Sequence, residues 1–538
     1  MAALQDLSYL LRNDHIPLKR GCLSFEVFTY DNVYTIEPAS FQNEAGVYRS
    51  RSFLWGDTEK VPGVAEITFL STEPCSLQAK ASLLGKSIRE IKLRFDDLPL
   101  GDLINSTDGI HPISESGFLF HYPEGWRSPF SSLLVFALKE GGYFYFAIED
   151  REVRPLRYYL KKVGMGMRLD LVVEGIASKK ETTFVSPKVI FGSTDDLPGL
   201  YEKHAKFLEE RYGYVPFEKR KDVPSWFKDV SLVVTLHMES FTGHLFHTYE
   251  SALADAKRIC ALLEGKNVLF YLPGWEGRYY YDYGHYDAEE RLGGRDGLVD
   301  LVQGIHALGA HVMAMYGINL VSRKTPDFAT FGPQSEFHLC GGGYCHNGSV
   351  DWTGSHDYDF DELASLNIAK KPWQDHLYHE IERNVRDFDF DGAFLDIAAL
   401  DINDREAEYL PGLFAFSKRI QTLKKDFLVS GEGAYDALVM AMPLFQAGHT
   451  EGKMNYHDVP YEGFFTPFAR EFAHLSLGDV AFHSTGVHEL GTNAEIRTPL
   501  RQGILPTLSL IDATIDQAEK EVLLTIEQAK DYRRRFLK

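Results

Sequence analysis

Apolar residues recur along the chain in two rhythms, and the change between them falls near residue 195. Up to about residue 190 the chain reads as short β-rich runs, such as Cys22 to Phe28 and Tyr143 to Ile148. Turn clusters such as Asn105-Ser106-Thr107-Asp108-Gly109 and Glu140-Gly141-Gly142 separate them. Strands at that spacing predict an antiparallel β-sandwich domain over 1–194. Asp195 to Tyr212 then carries Leu197, Leu200, Tyr201, His204 and Leu208 at helical spacing. With the charged, turn-rich stretch Pro216 to Pro224 it forms a helical linker over 195–222.

From Trp226 onward, strand-like runs alternate with helical patterns, which predicts a parallel sheet with crossover helices. The expected strands are Leu232–Leu236, Val268–Leu272, Ala310–Tyr316, Gly392–Asp396, Phe427–Gly431, Pro443–Gln446, Asp479–His483 and Gly503–Ile511. Eight strands make residues 223–538 an α/β unit of the (β/α)8 TIM-barrel class. A structureless insert, about 322–368, interrupts it between the third and fourth strands and is expected to act as a lid over the rim.

The most informative stretch is Phe388-Asp389-Phe390-Asp391-Gly392-Ala393-Phe394-Leu395-Asp396. It follows an amphipathic helix with Pro372 in its first turn and enters its strand through a turn at Asp391-Gly392. Side chains alternate along a strand, so Asp396 ends the strand on the face that Phe394 occupies. A second apolar run, Phe427-Leu428-Val429-Ser430-Gly431-Glu432, also ends in a carboxylate. Barrels deliver catalytic groups from strand C-termini. Two carboxyl groups on successive strand ends suit glycoside hydrolysis, in which one group attacks or activates water and the other protonates the leaving oxygen. Asp396 is read as nucleophile and Glu432 as general acid/base. Asp401 and Glu451 stand close enough in sequence to compete for either role.

The loop after the second strand, Pro273 to Asp287, is aromatic, polar and spaced by glycine. It offers Trp275 as a platform for a sugar ring and Asp282 and Asp287 as acceptors for hydroxyls. Tyr316, Asn319 and His449 complete the expected substrate contacts. Cys340 and Cys345-His346 are too widely spaced for a zinc site, and no nucleotide-binding or nucleophile-elbow motif occurs. No metal or cofactor is implied.

Composition narrows the partner. The 538 residues carry a net charge of −21, which argues against nucleic acid. A neutral oligosaccharide or glycoside is indifferent to that charge. No run of about 18 apolar residues spans a membrane. Five cysteines, an odd and sparse set, do not form a disulfide framework. The start Met-Ala-Ala-Leu-Gln-Asp-Leu lacks a leader's basic region, so the expected location is cytoplasmic. The oligomeric state is not encoded in any feature read here.

Two runs carry a family resemblance: Pro372-Trp373-Gln374 through Asp391 to Asp396, and Arg291-Leu292-Gly293-Gly294 followed by His306 to Val312. They resemble the helix–strand segments of barrel glycosidases. The layout is similar to uncharacterised bacterial glycoside-hydrolase-like proteins with a mutarotase-like β-sandwich. It is also similar to endo-α-N-acetylgalactosaminidases and, more distantly, to the α-amylase and dextranase groups. The resemblance implies an Asp nucleophile after the fourth strand and a Glu acid/base after the fifth, which fall on Asp396 and Glu432. It also implies an α-linked substrate and a retaining outcome. Phe394 stands where the amylase group has Arg, and Phe482-His483-Ser484 lacks that group's His-Asp pair, so a starch-type substrate is not implied. The alternatives are a carbohydrate-binding protein with a degenerate barrel, or a transglycosidase or lyase using the same rim.

Overall fold

The computed structural model describes residues 23–343 and 362–447, apart from 37–39, 41, 57, 73, 107–108, 124–130, 241, 342 and 401. It also describes 474–477 and 505–537, apart from 512–513. Among these residues, sixteen strands from Leu23–Thr29 to Lys188–Thr194 join in one antiparallel sheet. In Leu23–Thr29, buried Leu23, Phe25, Val27 and Thr29 alternate with half-exposed neighbours, the signature of a strand covered on one side. The sheet folds back on itself. Phe95 and Phe146 lie on strands far apart in the pairing order, yet their rings pack edge to face with centroids 5.1 Å apart. Phe191 joins the same aromatic cluster from Lys188–Thr194. The antiparallel part is thus two layers of one sheet closed over an aromatic core.

Helix α1 (Leu197–Tyr212) follows, with Asp196 accepting the Gly199 amide at its start and Gly213 ending it in a left-handed conformation. The stretch after it is tied down rather than loose. Buried Arg220 is held by Asp222 and by the Val439 and Met440 carbonyls.

The second part is a parallel sheet of eight strands among the described residues. They are β1 (Leu232–Leu236), β2 (Val268–Leu272), β3 (His311–Gly317), β4 (Gly392–Asp396), β5 (Leu428–Glu432), β6 (Leu444–Ala447), β7 (His474–Leu477) and β8 (Thr507–Leu510). The order is β7-β6-β5-β4-β3-β2-β1-β8, a curled parallel sheet with β7 and β8 at its two edges among the described residues. Strands β1, β2, β4 and β5 are buried at every position, as parallel strands covered on both faces must be. The expected seventh strand, 479–483, lies outside the described residues, and the place beside β6 is taken by His474–Leu477.

Helices α2 (Tyr249–Leu262), α3 (Gly294–Ala307), α4 (Lys371–Phe388) and α5 (Tyr409–Ile420) supply the crossovers. Helix α4 turns Trp373, Leu377, Ile381, Val385 and Phe388 inward, a 3–4 residue stripe, and ends at Asp389 with φ of 61°. The left-handed turn is therefore at Asp389 rather than at Asp391-Gly392. Asp391 already belongs to the sheet, donating its amide to Val312 O and accepting the Leu428 amide on its carbonyl.

The insert between β3 and β4 is not structureless where it is described. Leu320–Ser322 pairs antiparallel with Leu363–Ser365, and Arg323 grips Glu336 through two bonds of 2.7 and 2.8 Å. Residues 344–361 lie outside the described set.

The two parts meet at wholly buried Asp436, in the loop after β5. Tyr122 Oη donates to its carboxylate at 2.5 Å and the Ser132 amide at 3.4 Å, both from the antiparallel part. His204 of α1 lies 3.6 Å away, and Tyr214 Oη donates to the Asp436 carbonyl. Asn403, in the loop after β4, likewise donates to Gly175 O and accepts the Ala177 amide, each at 2.8 Å.

Candidate active site at the carboxyl ends of the parallel strands

Strand register brings the two expected carboxylates together. Leu395 of β4 lies opposite Gly431 of β5, so Asp396 and Glu432 end adjacent strands at the same level. The residue after Asp396 makes the link: the Ile397 amide donates to Glu432 Oε2 at 2.8 Å, and the Ala399 amide to Glu432 O at 3.0 Å. Ile397 adopts φ of 60°. A β-branched residue avoids the left-handed region, and such strain gathers at functional sites. Here the turn aims the 397 amide at the neighbouring carboxylate. Both carboxylates are largely buried, Asp396 at 7% and Glu432 at 8% exposure.

Tyr283 holds Asp396 from the other side, its Oη donating to Oδ2 at 2.8 Å in a buried setting. Burial, reinforced by the Asp396 charge, pushes the phenol well above its ordinary pKa, so it remains a donor. Gly317, the partner of Asp396 across β3 and β4, makes room for this ring. A Cβ on Gly317 would fall 2.0 Å from the Tyr283 ring.

The loop after β2, which carries Tyr283, and the insert enclose a cavity of about 520 Å³ lined by Glu276, Arg278, Asp282, Asp287, Thr325 and Glu362 among others. Glu276 is 6% exposed, and among the described residues neither of its carboxyl oxygens has a partner in hydrogen-bond geometry. Burial raises its pKa well above the carboxylate range, with Asp282, Asp396 and Glu239 adding to the rise. A buried carboxyl without a partner is costly, and this one lines a cavity the size of a sugar-binding pocket. Glu239, past β1, is raised by burial too, against the pull of its ion pair with Arg291.

The remaining expected residues divide. Asp282 lines the cavity and accepts the Arg278 amide at 2.6 Å. Asp287 stands at its edge, paired with Arg383 and with His285 at 2.8 Å. Trp275 is corrected: it is fully buried, donates its indole N–H to Met315 O at 3.1 Å and packs on Phe388, Phe390 and Tyr316. It has no free face for a sugar. Tyr316 is buried in the same cluster, and Asn319 donates to Ile397 O and Tyr409 Oη, bracing the strained turn instead of facing substrate. Asp401, His449 and Glu451 lie outside the described residues. Tyr283 and Glu276 escaped the sequence reading, and the signal was present in the glycine-spaced loop. An aromatic or acidic residue there reads alike whether it faces a core or a ligand.

Among the described residues no group of three or more His, Cys, Asp or Glu is placed to hold a metal ion, and no helix is long and apolar enough to cross a membrane. Cys75, Cys260 and Cys340 are free thiols, and burial lifts Cys75 to about 12.

No family model matches the sequence, and no curated protein matches it. Solved structures do. An α-N-acetylgalactosaminidase, NagBb from Bifidobacterium bifidum, aligns over 96% of this chain and 85% of its own, with a TM-score of 0.67 at 15% identity. The fold is shared with glycoside hydrolases. A GH36 α-galactosidase, AgaA from Geobacillus stearothermophilus, aligns over 96% of this chain and 74% of its own, with a TM-score of 0.52 at 13% identity. The galactosidase domain of an α-galactosidase-sucrose kinase, AgaSK, gives 0.52 at 14% identity, over 96% of this chain and 72% of its own. The fold thus agrees with the glycosidase resemblance at the level of the glycoside hydrolases, not of the endo-acting or amylase-type relatives suggested by the sequence.

Proposed function

We propose that this chain is a glycoside hydrolase that cleaves an α-linked sugar with retention, Asp396 serving as nucleophile and Glu432 as general acid/base. The observation that carries the reading is the coupling of two buried carboxyl groups on adjacent strand ends through the Ile397 amide, 2.8 Å from Glu432. The α-linkage is supported by the fold-sharing enzymes, α-N-acetylgalactosaminidases and α-galactosidases solved with GalNAc and with raffinose.

The mechanism this reading implies is a double displacement. Asp396, held in place by the Tyr283 hydroxyl, attacks the anomeric carbon while Glu432 gives its proton to the departing oxygen. A covalent glycosyl ester forms on Asp396. Glu432, now a carboxylate, takes a proton from water, which attacks the same carbon and releases the sugar with its original configuration. Donation from the Ile397 amide orients Glu432 through both steps. Glu276, protonated and unpartnered, and Asp282 are the groups offered to sugar hydroxyls.

A panel of aryl α- and β-glycosides, including the α-galactoside and the α-N-acetylgalactosaminide, is the direct test. Asp396→Asn is expected to cut kcat by about 10³-fold or more, on the scale of losing a catalytic group. Glu432→Gln should spare substrates with acidic aryl leaving groups in the first step and be partly rescued by azide as an external nucleophile. Retained turnover in Asp396→Asn, or cleavage of β-glycosides alone, would refute the assignment. Sugar binding without turnover in the parent would support the binding-protein alternative.

A further inference from the structure

We infer that a second cavity, between the antiparallel and parallel parts, receives the leaving-group half of the substrate, and that this half is an apolar alkyl or aryl aglycone. The inference rests on the assignment of Asp396 and Glu432 above and extends it to the other side of the bond being cut.

The cavity has a volume of about 480 Å³, within the usual range for small-ligand pockets. Its walls come from three places. Tyr122, Pro155 and Leu156 belong to the antiparallel part, Leu339 to the insert, and Leu400 and Ile402 to the loop that leaves Asp396. That loop ties the cavity to the catalytic pair. Ala399 donates its amide to the carbonyl of Glu432 at 3.0 Å, and Leu400 is the next residue. On the other wall, Tyr122 reaches Asp436, four residues beyond Glu432, at 2.5 Å. Four residues of chain span at most about 14 Å, so Leu400 lies within that reach of Asp396, and Asp436, which Tyr122 contacts, within that reach of Glu432.

The chemistry then assigns the side. A general acid must stand beside the oxygen it protonates, so the leaving group lies toward β5. The cavity near Glu276 is lined by the loop after β2 and by residues 324–326 and 362 of the insert, with no residue from the loops after β4 or β5. It is left for the sugar.

The class of aglycone follows from what the lining leaves open. Two charged groups reach the cavity, Arg157 and Glu174. They are engaged with each other at 3.3 Å, Arg157 also with Glu90, and Glu174 with the Asn403 amide group at 3.0 Å. Neither is offered to a charged ligand. Beside His121, Tyr122, Cys340 and Asn403, the rest is aliphatic, and Leu339 keeps 38% of its surface exposed at the edge, where a bound apolar chain would cover it.

Octyl and methyl α-D-galactopyranoside, together with the matching α-N-acetylgalactosaminides, test this, since their alcohols are equally poor leaving groups. The full-length chain is expected to show kcat/KM at least about tenfold higher for octyl than methyl, the effect of burying a few methylenes. Leu339→Asp, at a solvent-accessible position, should bring the ratio within about twofold of unity, and Ile402→Ser should lower it in the same direction. A parent ratio near one, or a ratio that survives both substitutions, overturns the inference. If no glycoside is hydrolysed, the catalytic assignment fails, and calorimetric titration still judges the cavity. Tighter binding of octyl than methyl glycoside, lost in Leu339→Asp, supports an apolar site there, and equal binding refutes it.

Discussion

Glu276 shows how far one residue can depart from the behaviour of its type. Its buried carboxyl holds a proton at a pH where free glutamate has lost it. The folded state therefore binds more protons than the unfolded one as soon as pH exceeds the unfolded value, about 4.3. Stability linked to this group is complete below that point and is lost as pH rises through the raised folded value. Glu276→Gln removes the linkage. At pH 7 the variant is expected to be more stable by about 1–3 kcal/mol, since each pH unit above the unfolded pKa costs the parent about 1.4 kcal/mol while the buried group stays protonated. The gain should vanish near pH 4, as read by urea unfolding at both pH values. Ile397 makes the same point in the backbone. Nothing in Asp396-Ile397-Ala398 announces a left-handed residue, since isoleucine is among the last to choose it. The conformation is imposed by the ties to Glu432 and Asn319.

At the scale of elements, the strands and helices were legible because burial on both faces leaves a plain record. β1, β2 and β4 run where the apolar runs place them, while β3 and β5 shift by one residue at their ends. β7 was not legible: His474-Leu475-Ser476-Leu477 is four residues of alternating character, too short to establish a period. Asp391 was read as a turn residue and proves to join three elements. Its carboxylate takes bonds from His306 at 2.8 Å, the Val312 amide at 3.0 Å and Lys424 at 3.0 Å. Burial alone would raise its pKa. The bonds from His306 and His311, with the Lys424 charge, instead hold it well below the carboxylate range. The stability it contributes is present above the unfolded pKa of about 3.9 and lost as pH falls further. Asp391→Asn is expected to cost about 3–5 kcal/mol at pH 7, the penalty for breaking a buried charge cluster, with a smaller cost at pH 3. Denaturant midpoints at the two pH values check it.

For the whole molecule, the rhythm changes near residue 195, between the strand Lys188–Thr194 and helix α1, because strands and βα units bury apolar residues at different periods. What joins the parts was not visible, since a contact such as Tyr122 to Asp436 spans 314 positions and follows no period. Asp436→Ala should cost about 2–4 kcal/mol by stranding the Tyr122 hydroxyl and the Ser132 amide. It should also lower kcat more than it raises KM, because Glu432 stands four residues away. Melting curves and steady-state kinetics on the same variant would separate the two effects. Asp436 has a practical corollary for anyone wishing to trim this chain. A fragment starting at β1 would lose the Tyr122, Ser132 and His204 partners of Asp436 and keep the bond from the Ala437 amide to its carboxylate. The parallel half is accordingly expected to need the antiparallel half beside it to keep the loop after β5 in place.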